Sequence, residues 1–304
     1  MSIEVRDVTK VFGQQKALDA VSFSVSRGQV VGFLGPNGAG KSTMMRIITC
    51  YLPQTSGTVT VCGHDTATDS MNVRRKVGYL PEANPLYPDM YVREYLQFVA
   101  GLYNLKDGKE RAERMIELTG LTPERNKQIG QLSKGYKQRV GLAQAMIHDP
   151  EVLILDEPTS GLDPNQLVGI RALIRELGRD RTVLFSSHIM QEVEAVSDRV
   201  IIIDRGRLVA DRPTSDLKGL SGPTQSIRVE FDKAIDAQRL RKELELREVR
   251  NLGGNSYRLI AATEADMRPQ VARWAQANGL LTLSMTSEEA KLEEVFQELT
   301  GKRP

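Results

Sequence analysis

The chain has 304 residues, with 41 lysines and arginines against 39 aspartates and glutamates, and a formal net charge of +2. Hydrophobic residues make up 40% of it and the mean hydropathy is −0.33, and no segment approaches the roughly 20 apolar residues that a membrane-spanning helix needs. The first residues lack the apolar core of a signal peptide, so we expect a cytoplasmic protein in which Cys50 and Cys62 stay unpaired.

The first strong pattern is a glycine-rich loop between a strand and a helix. Apolar runs from Ile3 to Val8 and from Val30 to Leu34 predict two strands, and the second leads into Gly35-Pro36-Asn37-Gly38-Ala39-Gly40-Lys41-Ser42-Thr43. The loop has the spacing G-x-x-x-x-G-K-S/T, and an apolar segment after it predicts a helix. Gly35, Gly38 and Gly40 allow positive φ and close backbone approach, so successive N–H groups are expected to wrap a β-phosphate.

Three side chains of the loop complete this phosphate site. Lys41 is expected to supply a mobile positive charge to the β- and γ-phosphate oxygens. Ser42 has the hydroxyl expected to ligate Mg²⁺, and Thr43 is placed to contact the α-phosphate. Such a motif arises in roughly one random chain of this length in a hundred. Together with the motifs that follow, it predicts ATP and Mg²⁺ as cofactors.

The segment from about residue 83 to about residue 148 is predicted to be helical. The shared face of its first helix consists of Tyr95, Leu96, Val99, Leu102 and Tyr103. A second helix is expected near Arg111 to Thr119. The preceding segment from Pro85 to Tyr91 is apolar and aromatic, which suits either a protein docking site or a buried position beneath the helices.

Two adjacent carboxylates follow the next buried strand. That strand is predicted from Val152 to Leu155, and Asp156 and Glu157 stand at its C-terminal end, where open α/β sheets bind ligands. An isolated Asp-Glu pair is more often an ordinary solvated turn. Because a phosphate loop precedes the pair in the sequence, we favour a functional interpretation instead. We predict that Asp156 belongs to the coordination shell of Mg²⁺ and that Glu157 lies beside the attacking water.

The remainder of the chain divides into the end of one domain, a linker and a second domain. Runs from Val183 to Ser186 and from Val200 to Asp204 complete α/β patterning over residues 1–215, and polar residues and helix breakers predict a linker at 216–225. Residues 226–304 follow the order βαββαβ, which predicts a ferredoxin-like α+β domain. Its predicted strands are Ile227 to Phe231, Leu246 to Leu252, Ser256 to Ala261 and Leu280 to Ser287, and its helices lie near Asp236 to Leu244, Glu264 to Asn278 and Leu292 to Thr300.

Over about the first 215 residues, the ordered motifs resemble the nucleotide-binding subunits of ATP-binding cassette (ABC) transporters. The resemblance implies a P-loop cassette with a RecA-like core, an antiparallel β-subdomain and a helical subdomain. It also implies that Phe12 stacks on adenine, that Asp163 belongs to the D-loop Ser160-Gly-Leu-Asp163, and that His188 contacts the γ-phosphate. Taken singly, such a phenylalanine is usually a core residue and such a histidine a satisfied polar residue.

The resemblance further implies that two copies close over ATP. Ser133, Lys134 and Gly135 stand in Leu132-Ser-Lys-Gly-Tyr-Lys-Gln138, which resembles the family signature. Ser133 and Gly135 match the positions that contact the γ-phosphate bound by the opposite subunit. Lys134 departs from the usual glycine, and the alternatives are an added positive charge at the phosphate or an exposed surface lysine.

Glu82 is a second departure from the family pattern. Most relatives have a glutamine here, which links Mg²⁺ to the membrane-subunit interface. A carboxylate still offers an oxygen to Mg²⁺, but it adds negative charge beside Asp156 and Glu157. The alternatives are a tuned Mg²⁺ dependence and a neutral exchange.

Finer motifs resemble the gliding-motility-associated ATPase subunit within the ABC-2-type exporters. They lie at residues 78–87, 90–96, 163–166 and 188–194. The implied assembly is two copies on a polytopic ABC-2-type permease, peripheral on the inner face of the cell membrane. The alternative is a soluble ABC ATPase that remodels a ribosome or a nucleic-acid complex. One uninterrupted cassette and the balanced charge after Ser221 disfavour it, so no nucleic-acid partner is expected.

Overall fold

The structure of the chain is a computed structural model, which describes residues 1–219, 225–261, 263 and 265–288. The described residues form two compact units that divide between Thr214 and Ser215. Each unit has its own hydrophobic core, which includes Phe33 and Ile154 in the first unit and Phe231 and Tyr257 in the second.

The first unit contains two sheets. Its strands are β1 (Ile3–Phe12), β2 (Gln15–Val25), β3 (Val30–Leu34), β4 (Ser56–Val61), β5 (His64–Asp65), β6 (Val77–Leu80), β7 (Val152–Leu155), β8 (Thr182–Ser187), β9 (Arg199–Asp204) and β10 (Arg207–Pro213). The larger sheet has the order β10-β9-β3-β8-β7-β6, in which β10 is antiparallel and the other five strands are parallel. The smaller sheet, β2-β1-β4-β5, is antiparallel. Because parallel strands end at one edge, the loops after β3, β6, β7 and β8 meet there.

The helices of the first unit lie between these strands. They are α1 (Lys41–Ile48), α2 (Ser70–Lys76), α3 (Val92–Leu102), α4 (Gly108–Leu118), α5 (Lys134–Met146), α6 (Pro164–Leu177) and α7 (Met190–Val196), with 3-10 turns at Thr122–Glu124 and Ile129–Gln131. A further 3-10 turn, Thr214–Gly219, follows β10 where the chain passes from the first unit to the second. Helices α3, α4 and α5 pack against one another. The predicted face of α3 is only partly correct. Tyr95, Leu96 and Val99 are buried, but Leu102 and Tyr103 are 65% and 41% exposed because the helix ends there.

Two predicted strands are confirmed residue for residue. Val30–Leu34 and Val152–Leu155 are buried along their whole length, as expected for central parallel strands with both faces covered. The prediction for β1 was too short, since the strand continues from Val8 to Phe12. Register shifts in its pairing with β2 interrupt the alternation of apolar residues that would have marked the longer strand.

The second unit contains one four-stranded antiparallel sheet and two helices within its described residues. In chain order its elements are β11 (Gln225–Phe231), α8 (Ala237–Glu243), β12 (Glu248–Gly253), β13 (Ser256–Ala261), α9 (Arg268–Ala277) and β14 (Thr282–Glu288). The sheet order is β12-β13-β11-β14. Strand β13 therefore lies between β11 and β12, although α8 alone separates those two strands along the chain. Helix α9 begins later than predicted, with Pro269 in its first turn, where a proline is tolerated. The predicted helix Leu292 to Thr300 lies outside the described residues.

Candidate functional site

A cavity of about 530 Å³ lies at the carboxyl edge of the parallel strands of the larger sheet. Its lining residues come from the loops after β3, β6, β7 and β8, from the first turn of α1, and from the ends of β1 and β2 that meet at their hairpin. They are Phe12, Gln15, Ala17, Asn37, Gly38, Gly40, Lys41, Ser42, Thr43, Glu82, Glu157, Ser160 and His188. The fold therefore brings together most of the side chains that the motifs predicted for one site.

The glycines of the loop after β3 serve different purposes. Gly38 and Gly40 have φ values of +80° and +108°, as predicted. A β-carbon on Gly40 would also lie only 2.6 Å from the carbonyl oxygen of Ala17. Gly35 does not have the positive φ that the motif suggested. It is needed for space instead, since a β-carbon there would lie 2.4 Å from the carbonyl oxygen of Ile203.

Lys41 is buried, and its ammonium group already has oxygen partners within the protein. Its side chain is only 6% exposed, and Nζ donates to the carbonyl oxygens of Gly35 at 2.8 Å and Pro36 at 3.3 Å. Glu157 Oε1 lies 3.3 Å from the same nitrogen. The ammonium group thus has oxygen acceptors that phosphate oxygens of a nucleotide are suited to replace.

Ser42 and Asp156 form the oxygen pair predicted for Mg²⁺. The Ser42 hydroxyl donates to Asp156 Oδ1 at 3.1 Å, and Asp156 is 1% exposed. Two neighbouring ligands of an octahedral Mg²⁺ ion, each about 2.1 Å from the metal, lie about 3 Å apart. The separation and the hard oxygen donors therefore fit a Mg²⁺ ion bound by Ser42 and Asp156.

Ser186 organises the two carboxylates and was missed by the sequence analysis. Its hydroxyl donates to Asp156 Oδ1 at 2.7 Å and accepts a hydrogen bond from the backbone N–H of Glu157 at 2.8 Å. These contacts arise because β7 and β8 are adjacent in the sheet. The only signal in the sequence was its position two residues before His188 at the end of a predicted strand.

Glu157 connects the lysine to the histidine. Its side chain is almost fully buried, and Oε2 accepts a hydrogen bond at 2.9 Å from Nδ1 of His188 when that nitrogen is protonated. The backbone of Glu157 has φ +49°, in the left-handed region that is unfavourable for a non-glycine residue. Non-glycine residues in this conformation occur most often at functional sites. The side chain of His188 is 41% exposed and faces the cavity.

The hairpin between β1 and β2 forms another wall of the cavity. Phe12 lies at the end of β1 and is 49% exposed, with Lys10 Nζ 5.1 Å from the centre of its ring. Gln15 and Ala17 line the cavity beside it and were not predicted. The aromatic ring predicted to bind adenine is thus accessible at this wall.

Ser160, the first residue of the D-loop, lines the cavity, but Asp163 and the signature residues Ser133, Lys134 and Gly135 do not. The side chain of Ser133 caps α5 by accepting from Tyr136 N–H at 3.4 Å, and Asp163 caps α6 by accepting from Gln166 N–H at 2.9 Å. The first turns of α5 and α6 are in close contact. A β-carbon on Gly135 would lie only 2.5 Å from the side chain of Gln166. Such a placement suits contacts with a nucleotide held by another copy of the chain.

Both departures from the family motifs have defined surroundings. Lys134 is exposed, and its Nζ lies against the D-loop, 2.2 Å from where a β-carbon on Gly161 would stand. Glu82 is exposed at the end of β6 and faces the cavity. Two residues later, Asn84 donates to the carbonyl oxygen of Lys137 on α5 at 2.8 Å. The loop after β6 is therefore hydrogen-bonded to α5, the helix that begins at the signature.

In the described part of the chain, no helix combines the length and the apolar character needed to cross a bilayer.

Comparisons with known proteins agree on one family. The sequence profile of the ABC transporter family matches residues 18–160. The chain is 33% identical to the linearmycin resistance ATP-binding protein LnrL of Bacillus subtilis (strain 168), over 99% of this chain and 98% of that protein. It is 32% identical to the bacitracin transport ATP-binding protein BcrA of Bacillus licheniformis, over 98% and 97% of the two chains.

Solved structures confirm the predicted P-loop ABC cassette fold. One is the ATP-binding subunit of an ABC transporter, with 29% identity and a TM-score of 0.66 over 73% of this chain and 94% of that chain. Another is a dimeric ATP-binding cassette in a post-hydrolysis state bound to ADP and Pi, with 27% identity and a TM-score of 0.64 over 70% and 98% of the two chains. The ferredoxin-like class of residues 226–304 and the predicted closeness to the gliding-motility group stay predictions.

Proposed function

Because the chain belongs to the family of ABC transporter ATP-binding proteins, whose cassettes are ATPases, we propose that it hydrolyses ATP to drive export through a separate permease. The observation that carries this proposal is the hydrogen-bonded series Lys41, Glu157 and His188 beside the Ser42–Asp156 pair. It puts a cation, a carboxylate and a histidine around one cavity, and Asp156 lies directly behind the Ser42 hydroxyl of the cavity wall, which is the set of groups that phosphoryl transfer to water requires.

Each residue has a role that follows from its place. The N–H groups of the loop after β3 and the Lys41 ammonium bind the phosphates of ATP, and Phe12 stacks on the adenine. Ser42 and Asp156, with Glu82 at the cavity wall, hold Mg²⁺, which neutralises phosphate charge when bound. Glu157 accepts a proton from the attacking water. His188 keeps the Glu157 carboxylate in position and contacts the γ-phosphate.

The active form is proposed to contain two copies of the chain. Ser133 and Gly135 at the start of α5, and Asp163 at the start of α6, lie outside the lining of their own cavity. The cassette solved with ADP and Pi, to which this chain is similar, is a dimer. The signature of one copy then completes the phosphate site of the other, and Lys134, which lies along the D-loop, positions that loop at the junction.

A docking surface for a polytopic ABC-2-type permease is proposed on the helical part of the first unit. Tyr87, Tyr91 and Phe98 are 55%, 44% and 42% exposed. The rings of Tyr87 and Phe98 are 5.9 Å apart, so these two exposed side chains form a contiguous aromatic patch. Glu82 and Asn84 in the same loop lead from this patch to the cavity and to α5. We therefore propose that the protein is peripheral on the cytoplasmic face of the membrane.

Names of relatives support the export direction. LnrL confers linearmycin resistance and BcrA is a bacitracin transport protein, according to their names, and each aligns with nearly the whole chain. A link to gliding motility rests only on the motifs at residues 78–87, 90–96, 163–166 and 188–194.

Capture of the partner tests the proposal. A tagged Glu157→Gln variant, produced in the native cell and isolated with Mg-ATP from gently solubilised membranes, is expected to retain a polytopic protein in fixed stoichiometry. Tyr87→Ser in the same background should lose that protein. The control Val168→Ser, an exposed apolar residue on α6 that is 67% accessible, should keep it. Recovery of ribosomal or nucleic-acid partners without a membrane protein would instead support the second candidate function.

A further inference from the structure

A buried carboxylate joins the two loops that contain Glu157 and His188. Glu192 on α7 is only 4% exposed, and its Oε2 accepts hydrogen bonds from the hydroxyls of Thr159 and Ser187. The Ser187 bond measures 2.9 Å, and Thr159 and Ser187 are themselves 5% and 0% exposed. None of these three side chains lines the cavity or has a part in the proposed chemistry.

Thr159 and Ser187, the two residues that donate to Glu192, lie close in sequence to Glu157 and His188. Thr159 follows Glu157 by two residues, and Ser187 directly precedes His188. A single carboxylate oxygen therefore fixes both backbone segments whose side chains meet in the Glu157–His188 hydrogen bond. Ser187 is further oriented by the backbone N–H of Ile189, which donates to its hydroxyl oxygen at 3.0 Å.

The helix that carries Glu192 is itself firmly packed. Met190, Val193 and Val196 are buried, and Val193 packs directly on the backbone of β3 at Gly32, where a β-carbon would lie 2.2 Å from it. Strand β3 leads into the phosphate loop. The Glu192 carboxylate is thus fixed to the same strand that positions the phosphates.

We propose that Glu192 is a positioning residue, which holds the Glu157 and His188 loops in the arrangement needed for water attack. The proposal rests on the proposed ATPase function. A buried carboxylate costs folding free energy unless it is hydrogen-bonded, so hydrophobic packing would be the simpler way to fill this place. A carboxylate at this position is explained by its two hydroxyl donors, one from the loop that contains Glu157 and one from the loop that contains His188.

Kinetics of three variants test the role. Glu192→Ala should lower kcat by about 10- to 100-fold, because small misplacements of reacting groups cost that much. KM for ATP should change by less than about twofold, since the phosphate loop is untouched. Glu192→Gln, which keeps an oxygen acceptor in the same place, should recover most of the activity. The control Glu194→Ala, an exposed acid on the same helix, should match the wild type.

Nuclear magnetic resonance of the histidine rings gives a readout that does not depend on turnover. The chain has only three histidines, so the His188 signal is assigned by its loss in His188→Gln. At fixed pH, the His188 ring signal should shift in Glu192→Ala and stay in place in Glu194→Ala, while the His148 signal marks an intact fold in both.

Separate results decide the two claims. A folded Glu192→Ala variant with wild-type kcat, or one whose His188 signal is unchanged, overturns the positioning role. A loss that appears only in KM does the same. An absence of ATP hydrolysis in the wild-type protein overturns the proposed function, whereas the His188 signal still reports on the positioning contact.

Discussion

Replacing Glu157 with glutamine tests the assignment of the base and also the electrostatics of the site. The substitution keeps the shape of the side chain but removes its charge. Glu157 and Lys41 are both 6% exposed, and Oε1 lies 3.3 Å from the lysine nitrogen. The change therefore removes both a proton acceptor and the counter-ion of a buried ammonium group.

Two magnitudes follow from these contacts. Loss of a positioned general base should lower kcat by about 10²- to 10⁴-fold. Gross attraction between unit charges 3.3 Å apart is about 5 kcal/mol at an effective dielectric constant of about 20. Much of this is offset by desolvation, and the two carbonyl acceptors of Lys41 remain. We expect the free energy of unfolding without nucleotide to fall by about 1–3 kcal/mol.

ATP should then stabilise the variant more than the wild type. Phosphate oxygens provide a new counter-charge for Lys41, and no carboxylate repels them. The assays are phosphate release and thermal unfolding with and without Mg-ATP. Glu151→Gln is the matched control, because it removes an ion pair with Lys76 in which both side chains are more than 40% exposed, and such pairs contribute less than about 1 kcal/mol. Wild-type turnover by Glu157→Gln, or equal stabilisation of both proteins by ATP, would refute the reasoning.

Three further predictions concern the phosphate loop, Mg²⁺ and pH. Gly40→Ala should abolish nucleotide binding and lower the free energy of unfolding by about 1–3 kcal/mol, because of its φ of +108° and the nearby carbonyl; nucleotide titration and chemical denaturation measure both. Glu82→Gln should shift the Mg²⁺ concentration for half-maximal hydrolysis. If the Mg²⁺ dependence of kcat is unchanged, Glu82 does not tune Mg²⁺ binding. Burial lowers the pKa of His148, so the unfolded state takes up more protons and stability should fall between about pH 7 and pH 5; a flatter thermal-melting profile of His148→Gln checks this.

Much of the fold was predictable because its signals are local. Continuous apolar runs marked β3 and β7, and the glycine spacing marked the turn between β3 and α1. The errors came from tertiary effects. Register shifts concealed the length of β1, and the end of α3 left Leu102 outside the core.

The site shows the same division. Residues within a motif were predictable, because each motif specifies chemistry and spacing together. Ser186 and Glu192 were not, because their importance depends on which strands are neighbours and on which way a buried side chain points. The hydrogen bonds of Lys41 likewise depend on carbonyl groups that the sequence does not orient.

ATP-dependent association of the Glu157→Gln variant tests the central claim most directly. One chain has a mass of 33.8 kDa. Light scattering after size-exclusion chromatography should give this mass without nucleotide and twice this mass with Mg-ATP, since in the proposed dimer the signature of each copy completes the phosphate site of the other. A mass of one chain at an ATP concentration that saturates the variant would contradict a nucleotide-closed dimer.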